Sequence, residues 1–128
     1  MSTRSNMEKV EYRKFFVSAL TIRDYTSTTK VVDVLLEYEK LLKYRWSASK
    51  RANDDYWFLV NQFELLTGHY KDIHTVDNNT LRSLVVDLRS AIFVNYPTRR
   101  DRMHCVIIRD TMKLISILEA ALYSLLLQ

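Results

Sequence analysis

The scarcity of glycine and proline constrains this chain more than any other feature of its sequence. Among 128 residues there is one glycine, Gly68, and one proline, Pro97. Sheets and loop-rich enzymes depend on both residues for tight turns, because glycine tolerates positive φ angles and proline pre-sets the turn. We therefore predict an all-α fold, a single-domain bundle of about five helices over residues 1–128 with residues 1–4 frayed.

The last thirty-one residues, Thr98 to Gln128, contain neither glycine nor proline and predict a long C-terminal helix. Thr98 is a favourable N-cap, and Asp101 three residues later gives an acidic variant of the capping box. As one helix this stretch would be about 46 Å long, more than the ~30 Å of a small domain. We expect it either to break or to project.

Two apolar stripes run along this helix, whereas an ordinary surface helix has one. The stripes are Met103, Ile107, Leu114, Leu118, Ala121 and Leu125, and Cys105, Ile108, Met112, Ile115, Leu122 and Leu126. The pattern indicates burial on two sides, as in the central helix of a bundle or in a helix shared with a partner chain.

Apolar periodicity and capping signals predict four helices before the terminal one. The first ends near Leu20, the second spans residues 30–46, and the third spans residues 54–67. The fourth opens at Asp77 or Asn78 and ends before Pro97, and Gly68 stands where a left-handed C-terminal cap is expected. Predicted interior residues are Val31, Leu35, Tyr38, Leu42, Tyr56, Leu59, Val60, Phe63, Leu66, Leu81, Leu84, Val85, Leu88, Ile92 and Asn95.

The sequence contains no motif for catalysis, for a metal or for a cofactor. One glycine is too few for a loop that cradles phosphate. The three histidines and single cysteine are dispersed, and a structural zinc site needs four such ligands, usually closely paired. Cys105 lies in an apolar stripe and is expected to be a small buried side chain rather than a nucleophile. We predict a protein that is not an enzyme and that binds neither metal nor cofactor.

A single cysteine excludes an intramolecular disulfide and fits a reducing compartment. Charged residues interrupt the first twenty positions, so no signal peptide is expected. The longest uncharged run, Ala120 to Gln128, is too short to span a bilayer. These observations predict a cytoplasmic protein without a membrane segment.

The net charge is +4, and the cations are concentrated in residues 1–51 and 97–128. Two basic clusters stand out. The first is Lys40, Lys43, Arg45, Lys50 and Arg51, interleaved with Tyr44 and Trp46, and the second is Arg99, Arg100 and Arg102. Arginines at a helix start oppose the helix dipole, which an anionic partner such as phosphate would compensate. The alternative is that both clusters are simply solvated faces.

The segment His74-Thr75-Val76-Asp77-Asn78-Asn79-Thr80-Leu81-Arg82-Ser83-Leu84-Val85 resembles a helix opening found in the helical small subunits of CRISPR effector complexes. The closing segment, Met112 to Leu127, is similar to the terminal helix of those subunits. The resemblance covers about a third of the chain. It implies a small, basic, non-catalytic subunit that stacks within a complex and holds a nucleic-acid strand.

Two functions follow as hypotheses. In the first, the two basic clusters contact the phosphates of single-stranded DNA or RNA, Tyr44 and Trp46 stack on unpaired bases, and the chain belongs to a larger assembly. In the second, the chain is a viral or regulatory adaptor that docks a protein partner through an apolar groove or through Leu122, Leu125 and Leu126. The acidic middle segment, residues 52–96, offers the alternatives of docking a basic neighbour or of self-association with the basic ends. The sequence leaves open whether the two basic clusters share a face.

Overall fold

The computed structural model describes residues 13–15, 19, 27–48, 54–69 and 76–127. Five helices lie in these ranges: α1 (Thr28–Ala48), α2 (Asp54–His69), α3 (Asn78–Asn95), α4 (Arg99–His104) and α5 (Val106–Leu126). Residues 13–15 and residue 19 are also helical, and no strand occurs in the ranges given. The prediction of an all-α domain with a long C-terminal helix is confirmed.

The ends of α3 follow the predicted signals closely. Asp77 is the N-cap, and its Oδ1 accepts a hydrogen bond of 2.7 Å from the backbone N–H of Thr80. This bond and further hydrogen bonds from Thr80 and Asn79 lower the pKa of the Asp77 carboxyl group. The helix ends at Asn95, two residues before Pro97, as the ring of proline requires.

Gly68 does not have the predicted role. Helix α2 continues through it to His69, and Gly68 does not have a positive φ angle. Glycine permits the left-handed conformation without imposing it, and the backbone here keeps helical hydrogen bonding for one more residue. A Cβ atom added at Gly68 would meet nothing within 4 Å.

The long C-terminal stretch breaks at Cys105. This residue has extended backbone angles, φ −98° and ψ 114°, and separates α4 from α5. Its carbonyl oxygen accepts a hydrogen bond of 2.9 Å from the N–H of Arg109, and α5 begins there. The stretch from Thr98 onwards was expected either to break or to project from the domain, and in this structure it breaks.

Helix α5 is the centre of the bundle and contacts each of the other four helices. Both predicted stripes are buried along its middle, from Ile107 to Leu122. In the core, the hydroxyl groups of Tyr38 and Thr111 are hydrogen-bonded at 2.8 Å, and the Tyr38 ring packs on Phe15 and Phe63. Three predicted interior residues are instead exposed, because each lies beyond the packed part of its helix: Asn95, Met103 and Leu126.

Candidate functional site

A tight corner joins α3 to α4 through Tyr96, Pro97 and Thr98. The hydroxyl of Thr98 accepts a hydrogen bond of 3.0 Å from the N–H of Asp101, which confirms the predicted N-cap. Because this corner is only three residues long, it fixes where the first turn of α4 lies relative to the end of α3.

Arg102 holds this corner together. Its Nη1 donates hydrogen bonds to the carbonyl oxygens of Tyr96 at 2.8 Å and Pro97 at 3.0 Å. Its guanidinium carbon lies 3.9 Å from the centre of the Phe93 ring, a close cation–π contact. A cation at the carbonyl end of a helix also complements the helix dipole. The predicted phosphate contact from Arg102 therefore competes with an intramolecular role that sequence reasoning missed.

Asp55 connects three parts of the chain. Its Oδ1 accepts a hydrogen bond from the Tyr96 hydroxyl, and its Oδ2 accepts one of 3.1 Å from the Cys105 thiol. The rings of Tyr96 and Phe58 also pack together, with centroids 5.8 Å apart. One carboxylate thus links the start of α2 with both ends of α4. Sequence reasoning missed this role of Asp55, because partners 41 and 50 residues away leave no local signal.

Both groups that donate to Asp55 hold their protons more tightly than usual. Burial raises the pKa of the Tyr96 hydroxyl, and the hydrogen bond to Asp55 and its negative charge raise it further. Burial likewise raises the pKa of the Cys105 thiol, the Asp55 contact adds to this, and backbone N–H groups of Ile107 and Ile108 oppose it. Cys105 is half-buried rather than fully buried. It is a hydrogen-bond donor, and its raised pKa makes it a poor nucleophile.

Arg99 and Arg100 differ from Arg102. Both are exposed in the first turn of α4, and within the described ranges neither makes an ion pair or a hydrogen bond. Arg100 borders an open cleft of about 740 Å³. The cleft is lined by Asp55, Asn95, Tyr96, Arg100, Asp101, His104 and Cys105. These two arginines are available to an anion, and the contacts of Arg102 and Asp55 hold the helix that carries them.

The first basic cluster is described only in part. Lys40, Lys43 and Tyr44 are exposed, and Lys43 forms ion pairs with Glu39 at 3.3 Å and with Glu64 at 3.6 Å. The contact with Glu39 is an i,i+4 pair within α1, and it partly neutralises Lys43. Arg45 and Trp46 are in the helical backbone of α1 but their side chains are not described, and Lys50 and Arg51 lie outside the described residues.

The two clusters lie at the same end of the bundle. Residues 49–53 join the end of α1 to the start of α2, and a link of this length spans at most about 20 Å. Asp55, in the first turn of α2, contacts Tyr96 and Cys105 on either side of α4. The end of α1 and the first turn of α4 therefore lie towards the same end of the bundle. We call this part of the molecule, with Lys40, Tyr44, Arg99 and Arg100, the basic end.

Two further cations were not predicted as site residues. Arg109 and Lys113 are exposed one turn apart near the start of α5, and neither is paired within the described part of the chain. Their i,i+4 spacing gives them a common side of the helix. In the sequence, Arg109 and Lys113 belong to the polar side of the predicted C-terminal helix. The break at Cys105 places them near the start of a separate helix, α5, beside the basic end.

The predicted partner-binding residues at the chain's end are not equivalent. Leu122 is 1% exposed and belongs to the core, Leu125 is half-buried against it, and Leu126 is exposed. The proposed contact of Leu122 with a partner is therefore not available in this fold. Tyr123 and Leu127, which were not predicted as site residues, are exposed.

Within the described residues, no three His, Cys, Asp or Glu side chains form a group that could hold a metal ion. In the same ranges, no helix combines the length and the apolar character needed to cross a membrane. No family model, curated protein or solved structure matches this chain, so none of these comparisons identifies it as a CRISPR subunit.

Proposed function

We propose that this chain is a non-catalytic subunit of a larger complex and that it binds the backbone of single-stranded DNA or RNA at its basic end. The observation that carries the proposal is the pair Arg99 and Arg100, two exposed guanidinium groups without partners in the described chain, on a helix that is fixed at both ends. Arginine is suited to phosphate because its planar donors match the phosphate oxygens.

Fixed positions favour binding, since a preorganised group loses less conformational freedom when a ligand arrives. Arg102 bonds α4 to the carbonyl oxygens of Tyr96 and Pro97 in the corner after α3, and Cys105 bonds the end of α4 to Asp55. The two exposed arginines also stand at the positive end of a helix dipole, where their mutual repulsion is relieved by an anion.

Single strands are favoured over duplexes because the basic end also carries an exposed aromatic ring, Tyr44, which is 43% exposed. Unpaired bases stack on such rings without regard to sequence. The resemblance of two short segments to the small subunits of CRISPR effector complexes favours the same role within an assembly.

The test is the binding of fluorescently labelled single strands of DNA and RNA, followed by anisotropy at low salt. We expect the double variant Arg99→Gln/Arg100→Gln to bind at least tenfold more weakly than the wild-type chain. The matched control is Lys30→Gln/Arg82→Gln, which removes two exposed charges near the starts of α1 and α3, at the opposite end of the bundle. Equal losses in both variants, or no binding by the wild-type chain, would show that the basic end is not a nucleic-acid site.

A further inference from the structure

Exposed apolar side chains are concentrated on the last three helices. Of the eleven large hydrophobic side chains exposed in the described ranges, seven lie on α3, α4 or α5, and an eighth, Leu127, is the C-cap of α5. They are Val86, Phe93, Val94, Met103, Val106, Tyr123, Leu126 and Leu127. Scattered exposed apolar residues are normal, but a concentration on neighbouring elements is typical of an interaction surface.

An ion pair shows how the outer faces of α3 and α5 align. Arg89 Nη1 lies 3.4 Å from Glu119 Oε2, and the two helices run in opposite directions because only a corner and the short α4 separate them. Val86 is one turn before Arg89, and Tyr123 is one turn after Glu119. In antiparallel helices both steps lead towards the same end, so Val86 and Tyr123 lie at the same level.

Leu126 and Leu127 follow Tyr123 at spacings of three and four residues and share its side of α5. Together, Val86, Arg89, Glu119, Tyr123, Leu126 and Leu127 form a surface that we call the α3–α5 patch. Arg82 lies one turn before Val86 and stands at its rim. Apart from this rim, the patch holds one cation and one anion, which neutralise each other.

We propose that the α3–α5 patch is the surface through which two copies of this chain associate about a two-fold axis. The inference does not depend on nucleic-acid binding. In a two-fold dimer the same patch meets itself, so it must be complementary to itself. A patch of one charge sign would repel its copy, whereas a matched Arg89 and Glu119 can face Glu119 and Arg89 of the second copy.

The distribution of charge favours a second copy over a charged partner. The chain has a net charge of +4, and Arg99 and Arg100, two arginines without partners in the described chain, lie at the basic end. Tyr123 is seventeen residues after the start of α5, about 25 Å along the helix from that end. Pairing through the patch about an axis perpendicular to the helices therefore places the two basic ends at opposite ends of the dimer, while an acidic partner would be drawn to the basic end instead.

The size of the face suits a weak, reversible dimer. Helix α3 has 18 residues. At 1.5 Å per residue it is about 27 Å long, and two adjacent helices of ~10 Å diameter give a face about 20 Å wide. Such a face has an area of about 540 Å², which is below the ~800 Å² that each partner buries in a standard interface and within the range of weak, transient interfaces. The apolar side chains cover only part of it, so we expect a reversible dimer rather than an obligate one.

The first test is sedimentation of the full chain over a concentration series. We expect the mass to rise from the monomer value of 15.2 kDa towards twice that value. Tyr123→Asp/Leu127→Asp is expected to stay at the monomer mass with an unchanged circular dichroism spectrum, because both side chains are exposed in the monomer. Leu65→Asp, an equally exposed position on α2, is the control that should leave association intact.

The second test uses charge. Arg89→Glu and Glu119→Arg each place two like charges in the patch, so each variant alone should remain monomeric. An equimolar mixture of the two should restore the dimer mass, because one patch then carries two anions and the other two cations. A wild-type chain that stays monomeric at every concentration, or a mixture that stays monomeric while the wild type dimerises, overturns the proposed interface.

Discussion

The thiol of Cys105 lies 3.1 Å from the carboxylate of Asp55, although fifty positions separate the two residues in the chain. Tyr96, the first residue of the corner that precedes α4, donates to the same carboxylate. This shared acceptor holds α4 against α2, and α4 carries the exposed arginines of the basic end. Both the stability of the fold and the position of the exposed arginines therefore depend on the side chain of Asp55.

Asp55→Ala should lower the free energy of unfolding by about 1–3 kcal/mol, because it leaves two half-buried donors without their acceptor. Urea titration followed by circular dichroism measures this change. Asp54→Ala is the matched control, since Asp54 is exposed at the neighbouring position. A surface change of that kind should stay within about 0.5 kcal/mol. Similar losses in both variants would contradict the role given to Asp55.

How far the sequence predicts this fold depends on the range of the interactions involved. The apolar periodicity of residues 78–95 and the cap at Asp77 are local, and they locate α3 almost to the residue. The break at Cys105 and the role of Asp55 depend on contacts between distant segments, which no local pattern contains. The same holds for Arg102. Its guanidinium group binds carbonyl oxygens of the corner before α4, and only the folded corner brings these acceptors within reach.

High pH should weaken the folded state through the same cluster. The pKa values of the Cys105 thiol and the Tyr96 hydroxyl are raised, so the folded chain retains protons that the unfolded chain loses. The stabilisation is complete below the ordinary thiol value of 9.0 and decreases as pH rises beyond it. Urea midpoints measured at pH 7.5, 9 and 10 should decline in that order. The decline should be shallower in Asp55→Asn, which removes the contribution of the carboxylate but not that of burial.

Gly68→Ala should stabilise the protein. Gly68 has no positive φ angle, lies within α2 and has free space where a Cβ atom would be placed. Alanine in a helix is favoured over glycine by about 0.5–1 kcal/mol, so the free energy of unfolding should rise by that amount. Ala120→Gly, at an exposed position in α5, should lower it by a similar amount. A loss of stability in Gly68→Ala would mean that the helix ends before this residue in solution.

The buried hydroxyl pair in the core should show energetic coupling. Tyr38 is hydrogen-bonded to Thr111, whose own hydroxyl donates to the carbonyl oxygen of Ile107 at 2.8 Å. Tyr38→Phe should cost about 0.5–1.5 kcal/mol, the net value of one hydrogen bond. In a double-mutant cycle with Thr111→Val, the sum of the single losses should exceed the loss in the double variant. Strict additivity would mean that the two hydroxyl groups do not interact.

The salt dependence of strand binding tests the central claim most directly. The logarithm of the association constant should fall linearly with the logarithm of salt concentration, by roughly 0.7 for each phosphate contact made with a single strand. Removing both contacts in Arg99→Gln/Arg100→Gln should therefore reduce the slope by roughly 1.4. The Lys30→Gln/Arg82→Gln control should keep the wild-type slope. A slope that is equally steep in all three proteins would contradict phosphate binding at the basic end.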